Sequence, residues 1–219
     1  MAMNGRFEDR VAAGRALARV LKAYAAQRDV LVLALPRGGV PVAFEVAQAL
    51  GAELDVLIVR KLGVPGQPEL AMGAISSGDA LYLNRELIAL TGVTEAEVAS
   101  VLQVEREELA RRELLYRGSR PAVRVEGRTV IVVDDGIATG ASMNAALLAL
   151  RSKHPAHIVV AVPVAPAETQ KRLGAATDVY ISVMTPEPFY AVGQFYEHFE
   201  QTSDDEVRML LDASRGETH

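Results

Sequence analysis

Residues 130–142 read VIVVDDGIATGAS, and the order of residue types sets out a chemistry. Two adjacent acids, Asp134 and Asp135, end a run of four β-branched residues. Ionised carboxylates only accept hydrogen bonds, so the pair repels an anion and suits a donor such as a vicinal diol. The following turn, Gly136 to Ser142, has the opposite character. Gly136 and Gly140 let backbone approach a phosphate closely, and the Thr139 and Ser142 hydroxyls add donors. A helix opening at Ser142 contributes unpaired amides and the positive end of its dipole. One ligand satisfies both halves: a ribose 5-phosphate with its hydroxyls on the acids and its phosphate in the turn. The plainer alternative is an ordinary strand end with a capped helix. Phospho-acceptor receiver domains also end a strand in acids, but they lack the Thr-Gly-x-Ser that follows here.

Apolar periodicity shows which elements must position these groups. Residues 130–133 read as a strand buried on both faces, and MNAALLALRSK as the next helix. Residues 8–27 space Val11, Leu17, Val20 and Leu21 for a helix. VLVLALP, after Asp29, is a buried strand ending in Pro36, Arg37, Gly38 and Gly39. Pro41 suits a first helical turn, and that helix stops at Leu50 before Gly51. LDVLIV supplies a second buried strand, and strand–helix–strand order predicts a parallel crossover. The Arg37-Gly38-Gly39 turn is a second candidate anion site. Double glycine permits unusual backbone angles, and the guanidinium can fork onto two phosphate oxygens. Alone, it fits a structural turn with a solvated arginine better.

From Arg60 the chain runs RKLGVPGQPELAMGAI, with two cations (Arg60, Lys61) and then three glycines and two prolines by residue 73. This composition predicts a loop able to move, with a surface turn between strands as the alternative. Residues 72–75 and 80–83, joined by Ser-Ser-Gly-Asp, read as a hairpin. Residues 94–116 predict a long helix opened by a Thr94–Glu97 capping box. Its second half, EREELARRELLYR, is a solvated face of weak ion pairs. Its arginines could reach an anion or a second copy of the chain, and nothing in the sequence selects among them. AHIVVAVPVA, a helix at 167–173 and TDVYISVM complete the alternation. His154 and His157 flank Pro155 with no third ligand near in sequence, so they read as surface residues. Five of eleven aromatics (Phe189, Tyr190, Phe195, Tyr196, Phe199) cluster near the end, either as a hydrophobic cap or as a hood whose rings stack on a heterocycle. A Ser203–Glu206 capping box opens a last helix with Val207, Leu210 and Leu211 inward.

The expected fold is α/β: one domain over residues 1–219, with a parallel central sheet flanked by helices. Its core spans about 28–184, with a helical insertion at about 84–120 and a small C-terminal hood at about 185–219. Cysteine is absent, which removes disulfides, thiolate metal sites and a thiol nucleophile. No apolar run approaches a bilayer span, and a cytoplasmic protein without membrane contact is expected. A net charge of −5 gives no general attraction for nucleic acid.

VIVVDDGIATGAS resembles the phosphoribosyl-pyrophosphate signature of the type I phosphoribosyltransferases: an apolar strand, two acids, a spacer, then Thr-Gly. The resemblance covers roughly residues 30–184, and the whole chain is most similar to bacterial phosphoribosyltransferase-like proteins of unassigned substrate. It implies that Asp134 and Asp135 hold the ribose hydroxyls while Gly136 and Ala138 to Ser142 hold the 5-phosphate. Arg37, Gly38 and Gly39 would take the pyrophosphate, and Arg60 and Lys61 would stand on the family's flexible catalytic loop. Arg37, Lys61 and Asp135 are then the catalytic candidates. Mg²⁺ is expected on ligand oxygens and water, without a dedicated carboxylate cage. The family's hood for an acceptor base shares no sequence, so no residue carries over to residues 185–219.

The implied reaction displaces pyrophosphate from the anomeric carbon of ribose through a transition state with oxocarbenium character. It belongs to nucleotide metabolism. Members acting on 6-oxopurines carry an acid just before Thr-Gly, where this chain has Ala138. Adenine-like, pyrimidine or non-base acceptors stay open, as does a homodimer. The rival reading is a non-catalytic sensor that binds phosphoribosyl pyrophosphate and regulates a partner. A dehydrogenase or kinase is disfavoured, because neither GxGxxG after the first strand nor GxxxxGK[ST] occurs.

Overall fold

The computed structural model describes residues 5–25 and 27–216. In chain order its strands are β1 (Val30–Ala34), β2 (Glu53–Val56), β3 (Val59–Val64), β4 (Gln67–Ser76), β5 (Ala80–Leu83), β6 (Thr129–Val133), β7 (His157–Val164) and β8 (Val179–Met184). The helices are α1 (Arg10–Val20), α2 (Gly39–Leu50), α3 (Arg85–Thr91), α4 (Glu95–Arg117), α5 (Ala141–Arg151), α6 (Thr169–Leu173) and α7 (Asp204–Gly216). Five strands form a parallel sheet in the order β2-β1-β6-β7-β8, as the crossover reading requires. β3, β4 and β5 make a separate antiparallel sheet.

Alternating residues explain why the central strands are apolar throughout. Val30, Val32 and Ala34 of β1 face one core with Ile131 and Val133 of β6. Leu31 and Leu33 face the other with Val130 and Val132. Helices cover both faces, so no strand position can be polar without a partner. Strand order reverses between β1 and β6: β1 leads outward to β2, while β6 leads the other way to β7. Crevices at the carboxyl ends of strands flanking such a reversal are where open α/β sheets bind ligands. Ala34 pairs with Val133 there, so the segments after β1 and β6 emerge side by side.

Three expectations are corrected. The first helix ends at Val20, followed by a single 3₁₀ turn at Lys22–Tyr24, short of residue 27. LDVLIV is divided between sheets: β2 ends at Val56 and β3 begins at Val59, and Leu57 and Ile58 are buried at the crossing. The stretch from Arg60 is a β-hairpin with a tight turn at Pro65 and Gly66. Its glycines and prolines hide the strand signal. Register shifts on either side of Gly63 absorb Pro68, and a Cβ on Gly63 would lie 2.7 Å from the Pro68 carbonyl oxygen. Leu62, Val64 and Met72 anchor the hairpin in the core.

Both ends of the chain build the cap over β7. The Phe7 amide donates to the Phe195 carbonyl at 2.8 Å, and the Glu197 amide returns one to Phe7 at 2.8 Å. Phe189–Phe195 and Tyr196–Phe199 are ring pairs with centroids 5.0 and 4.9 Å apart. Four of the five clustered aromatics thus pack on one another, and Tyr190 alone among them is 83% exposed. The last helix, α7, packs instead against α2, α4 and β2, with Val207 and Leu211 fully buried.

Candidate functional site

Asp134 and Asp135 leave β6 at the sheet reversal and meet the turn after β1. Gly38 and Gly39 keep ordinary negative φ angles, so the reason for glycine here is space. A Cβ on Gly38 would fall 2.1 Å from Asp135 Oδ2, and one on Gly39 2.8 Å from the Val133 carbonyl oxygen. The two signature segments are therefore in direct contact. The Pro36–Arg37 peptide between β1 and α2 is cis.

Asp134 accepts the Asp135 amide on Oδ1 at 2.8 Å. Burial, reinforced by the neighbouring Asp135 charge, pushes the Asp134 carboxyl well above the ordinary carboxylate range. Burial raises Asp135 as well, against the opposing charge of Arg10. Two buried carboxyls side by side disfavour a second negative charge, so the pair favours carrying a single one. A singly charged pair can both accept from and donate to a diol.

Arg10, the first residue of α1, reaches Asp135 Oδ2 with Nε and Nη2, each at 2.9 Å. Its Nη1 donates to the Glu200 carbonyl at 2.7 Å, and the guanidinium lies 4.0 Å from the Phe199 ring centroid. The Tyr196 hydroxyl donates to the Asp135 carbonyl at 2.5 Å, and burial raises its pKa strongly. The cap thus fixes the acid pair from above.

The turn from Ala138 to Ser142 is open to solvent at Ala138, Thr139, Ala141 and Ser142. Gly140 takes φ 79° as the N-cap of α5, a left-handed angle that favours glycine. The helix begins at Ala141, one residue earlier than read from the sequence, and Thr139 Oγ1 accepts the Ala141 amide at 3.4 Å. Gly136 is held by the cap. It is buried, and a Cβ there would meet Val192 Cγ1 at 2.6 Å and Val164 Cγ1 at 3.0 Å. Its missing side chain seats the cap.

Beside Arg37 and Asp135 lies a cavity of about 570 Å³. Its cations are Arg10, Arg37, Arg111 and Arg112, and its carboxylates are Asp135 and Asp204. Arg37 makes only a 3.7 Å ion pair with Asp204, which also accepts the Tyr116 hydroxyl at 2.6 Å. Tyr116 is pushed up to about 12, chiefly by burial and by its hydrogen bond to Asp204. Arg60 and Lys61 do not line this cavity. Arg60 is spent on Glu105, Nε to Oε2 at 2.6 Å, because β3 packs along α4. The structure brings Arg37, Gly38, Gly39, Asp134 and Asp135 together and leaves that cation pair on the hairpin. Sequence reasoning missed Arg10, which lies in an ordinary amphipathic helix and carries no motif. It also could not choose Arg111 and Arg112 from the charged face of α4.

Among the described residues there is no group of three or more His, Cys, Asp or Glu side chains that could hold a metal. No helix among them is long and apolar enough to cross a membrane.

Comparisons with known proteins agree with this geometry. The family model described as "Phosphoribosyl transferase domain" matches residues 5–195. A Mycobacterium tuberculosis protein named "Putative phosphoribosyl transferase" is 47% identical over 206 residues, covering 94% of this chain and 46% of that protein. A "Ribose-phosphate pyrophosphokinase" of Methanopyrus kandleri is 31% identical over 179 residues, covering 70% of this chain and 61% of that protein. The chain thus spans about half the length of the mycobacterial relative. The crystal structure of TT1426 from Thermus thermophilus superposes with a TM-score of 0.84 at 44% identity, over 94% of this chain and 97% of that one. An acid pair and a glycine turn meeting at the reversal of a parallel sheet, and a family match running through both, lead to one assignment: this chain belongs to the phosphoribosyl transferase domain family.

Proposed function

We propose that the chain binds 5-phosphoribosyl 1-pyrophosphate with Mg²⁺ and transfers the phosphoribosyl group to a nitrogenous acceptor, releasing pyrophosphate. The observation that carries this reading is the contact between Gly38 and Asp135, which sets an anion-suited turn against a diol-suited acid pair.

In this reading Asp134 and Asp135 grip the 2- and 3-hydroxyls, and the open turn from Ala138 to Ser142 takes the 5-phosphate at the start of α5. Two fixed ends orient the anomeric carbon, which is worth far more than contact with either end alone. The C1–O bond to pyrophosphate breaks, and the leaving group departs with the electron pair. Arg37 neutralises the charge developing on it. The lone pair of the acceptor nitrogen then forms the new bond to C1, and its proton passes to the departing pyrophosphate or to water. Ala138 offers no carboxylate to take that proton, which favours an acceptor whose attacking nitrogen already carries a free lone pair. Asp134 and Asp135 would offer hard oxygen donors to Mg²⁺ through water. When bound, the metal would neutralise pyrophosphate charge. Arg60 and Lys61 do not line the cavity, so this reading rests the leaving-group charge on Arg37.

Pyrophosphate release measured with a panel of bases and amines tests the proposal, and release that depends on one acceptor is the expected result. Donor binding without turnover under every acceptor would turn the reading to the sensor. Absence of donor binding would remove both.

A further inference from the structure

We infer that α4 supplies two residues of the site, Arg111 and Arg112, as positioning cations for the diphosphate end of the donor. The inference rests on the phosphoribosyl-donor reading and adds residues that no motif in the sequence marks. Arg112, Leu115 and Tyr116 share one face of α4 and line the same cavity as Arg37 and Gly38, with Arg111 at its rim.

The charges around this cavity are unbalanced. Of its two lining carboxylates, Asp135 is answered by Arg10 at 2.9 Å and Asp204 by the Tyr116 hydroxyl at 2.6 Å. The Arg37 side chain donates no hydrogen bond among the described residues, and its ion pair with Asp204 is 3.7 Å long. Glu108, which does not line the cavity, holds Arg111 Nε at 2.8 Å and Nη2 at 3.0 Å. It also holds Arg112 Nε at 2.7 Å. These two arginines draw the Glu108 carboxyl down to about 2. Arg112 therefore keeps both terminal nitrogens for a ligand while Glu108 fixes its stem. A planar, pre-positioned guanidinium with free terminal N–H groups fits a phosphate fork. With Arg10 committed to Asp135, the three remaining guanidiniums of the lining, Arg37, Arg111 and Arg112, suit a ligand with several negative charges on adjacent phosphoryl groups. A single phosphate would leave most of them unused. The 5-phosphate is served by the exposed turn at α5, so the diphosphate is the group that requires this cavity.

Calorimetric titration of the full chain with Mg²⁺ tests this, using inorganic pyrophosphate and ribose 5-phosphate as separate probes. Arg111→Ala/Arg112→Ala is expected to weaken pyrophosphate by about tenfold or more, as loss of charge-assisted hydrogen bonds requires, while ribose 5-phosphate stays within about twofold. Arg112→Lys, which keeps the charge and loses the fork, should fall between wild type and the double variant. Thermal melts of each variant check folding, and both arginines are exposed enough for the fold to survive. Unchanged pyrophosphate affinity in the double variant, with loss in Arg37→Ala, would overturn the role of α4 and leave the donor reading standing. Equal weakening of both probes would overturn it too, by showing a general charge effect. If the wild-type chain bound neither probe, the donor reading itself would fall.

Discussion

Two carboxylate–guanidinium pairs stand near the carboxyl ends of β2 and β6, the strands on either side of β1, and they are built to different ends. Asp55 of β2 holds Arg117 Nε on both oxygens, at 3.0 and 2.9 Å, and accepts the Val56 and Val123 amides. Arg117 also reaches Glu113 and the Val56 carbonyl, and both members of the pair are almost fully buried. Asp135 meets Arg10 through one oxygen only, with 14% and 12% of the side chains exposed. Burial lifts the carboxyl of Asp135 against the opposing charge of Arg10. A saturated pair locks α4 to the sheet. A pair left partly unsatisfied has capacity for a ligand.

Removing Arg117 should give the largest effect. Arg117→Ala leaves Asp55 charged and buried, and is expected to cost about 3–5 kcal/mol in urea unfolding. A loss below about 1 kcal/mol would erase the distinction between the pairs. Asp135→Asn should weaken phosphoribosyl-donor binding by about tenfold or more for the lost acceptor. Because Arg10 loses its ionic partner as well, a stability cost of about 1–2 kcal/mol is also expected, and donor titration beside unfolding measures both. Donor affinity equal to wild type would mean that Asp135 is another structural acid like Asp55. Gly38→Ala forces a Cβ into Asp135 and should cost about 1–3 kcal/mol through overpacking, visible as a lowered melting temperature with donor binding impaired.

Asp134→Asn should be the mildest change and run the other way. A carboxyl raised on folding binds more protons in the native state than in the unfolded chain. Stability therefore falls as pH rises from the unfolded value near 3.8 through the raised native one. The amide removes that cost and keeps the oxygen that accepts the Asp135 N–H. The variant should melt a few degrees higher at neutral pH, about 2–4 °C per kcal/mol recovered, with the gain vanishing below about pH 4. A lower melting point at neutral pH would show that the charged form is held by contacts like those around Asp55.

The hairpin at Arg60 shows how composition can mislead. Glycine and proline there promised a moving loop. Gly63 instead lets the Pro68 backbone approach, and Leu62 and Met72 bury the hairpin's inner face. The alternation of Leu62 and Val64 was present in the sequence, but so short a stretch is too little to outweigh Pro65, Gly66 and Pro68. Gly38, Gly39 and Gly136 take no left-handed backbone angle. Each provides space for a segment distant in sequence, and of the four glycines around the site Gly140 alone has a left-handed angle.

By itself, the order of residues determined the parallel sheet, the capped helices and the acid pair followed by Thr-Gly. Each of these is a local pattern, written in contiguous residues and enforced by backbone hydrogen bonding and apolar periodicity. Tertiary structure alone decided that Arg10 would face Asp135, that Arg111 and Arg112 would face Arg37, and that Arg60 would face Glu105. An arginine carries the same charge wherever it stands, and its partner is chosen by how helices dock on the sheet. That choice depends on shape summed over the whole core, which no short stretch of sequence contains.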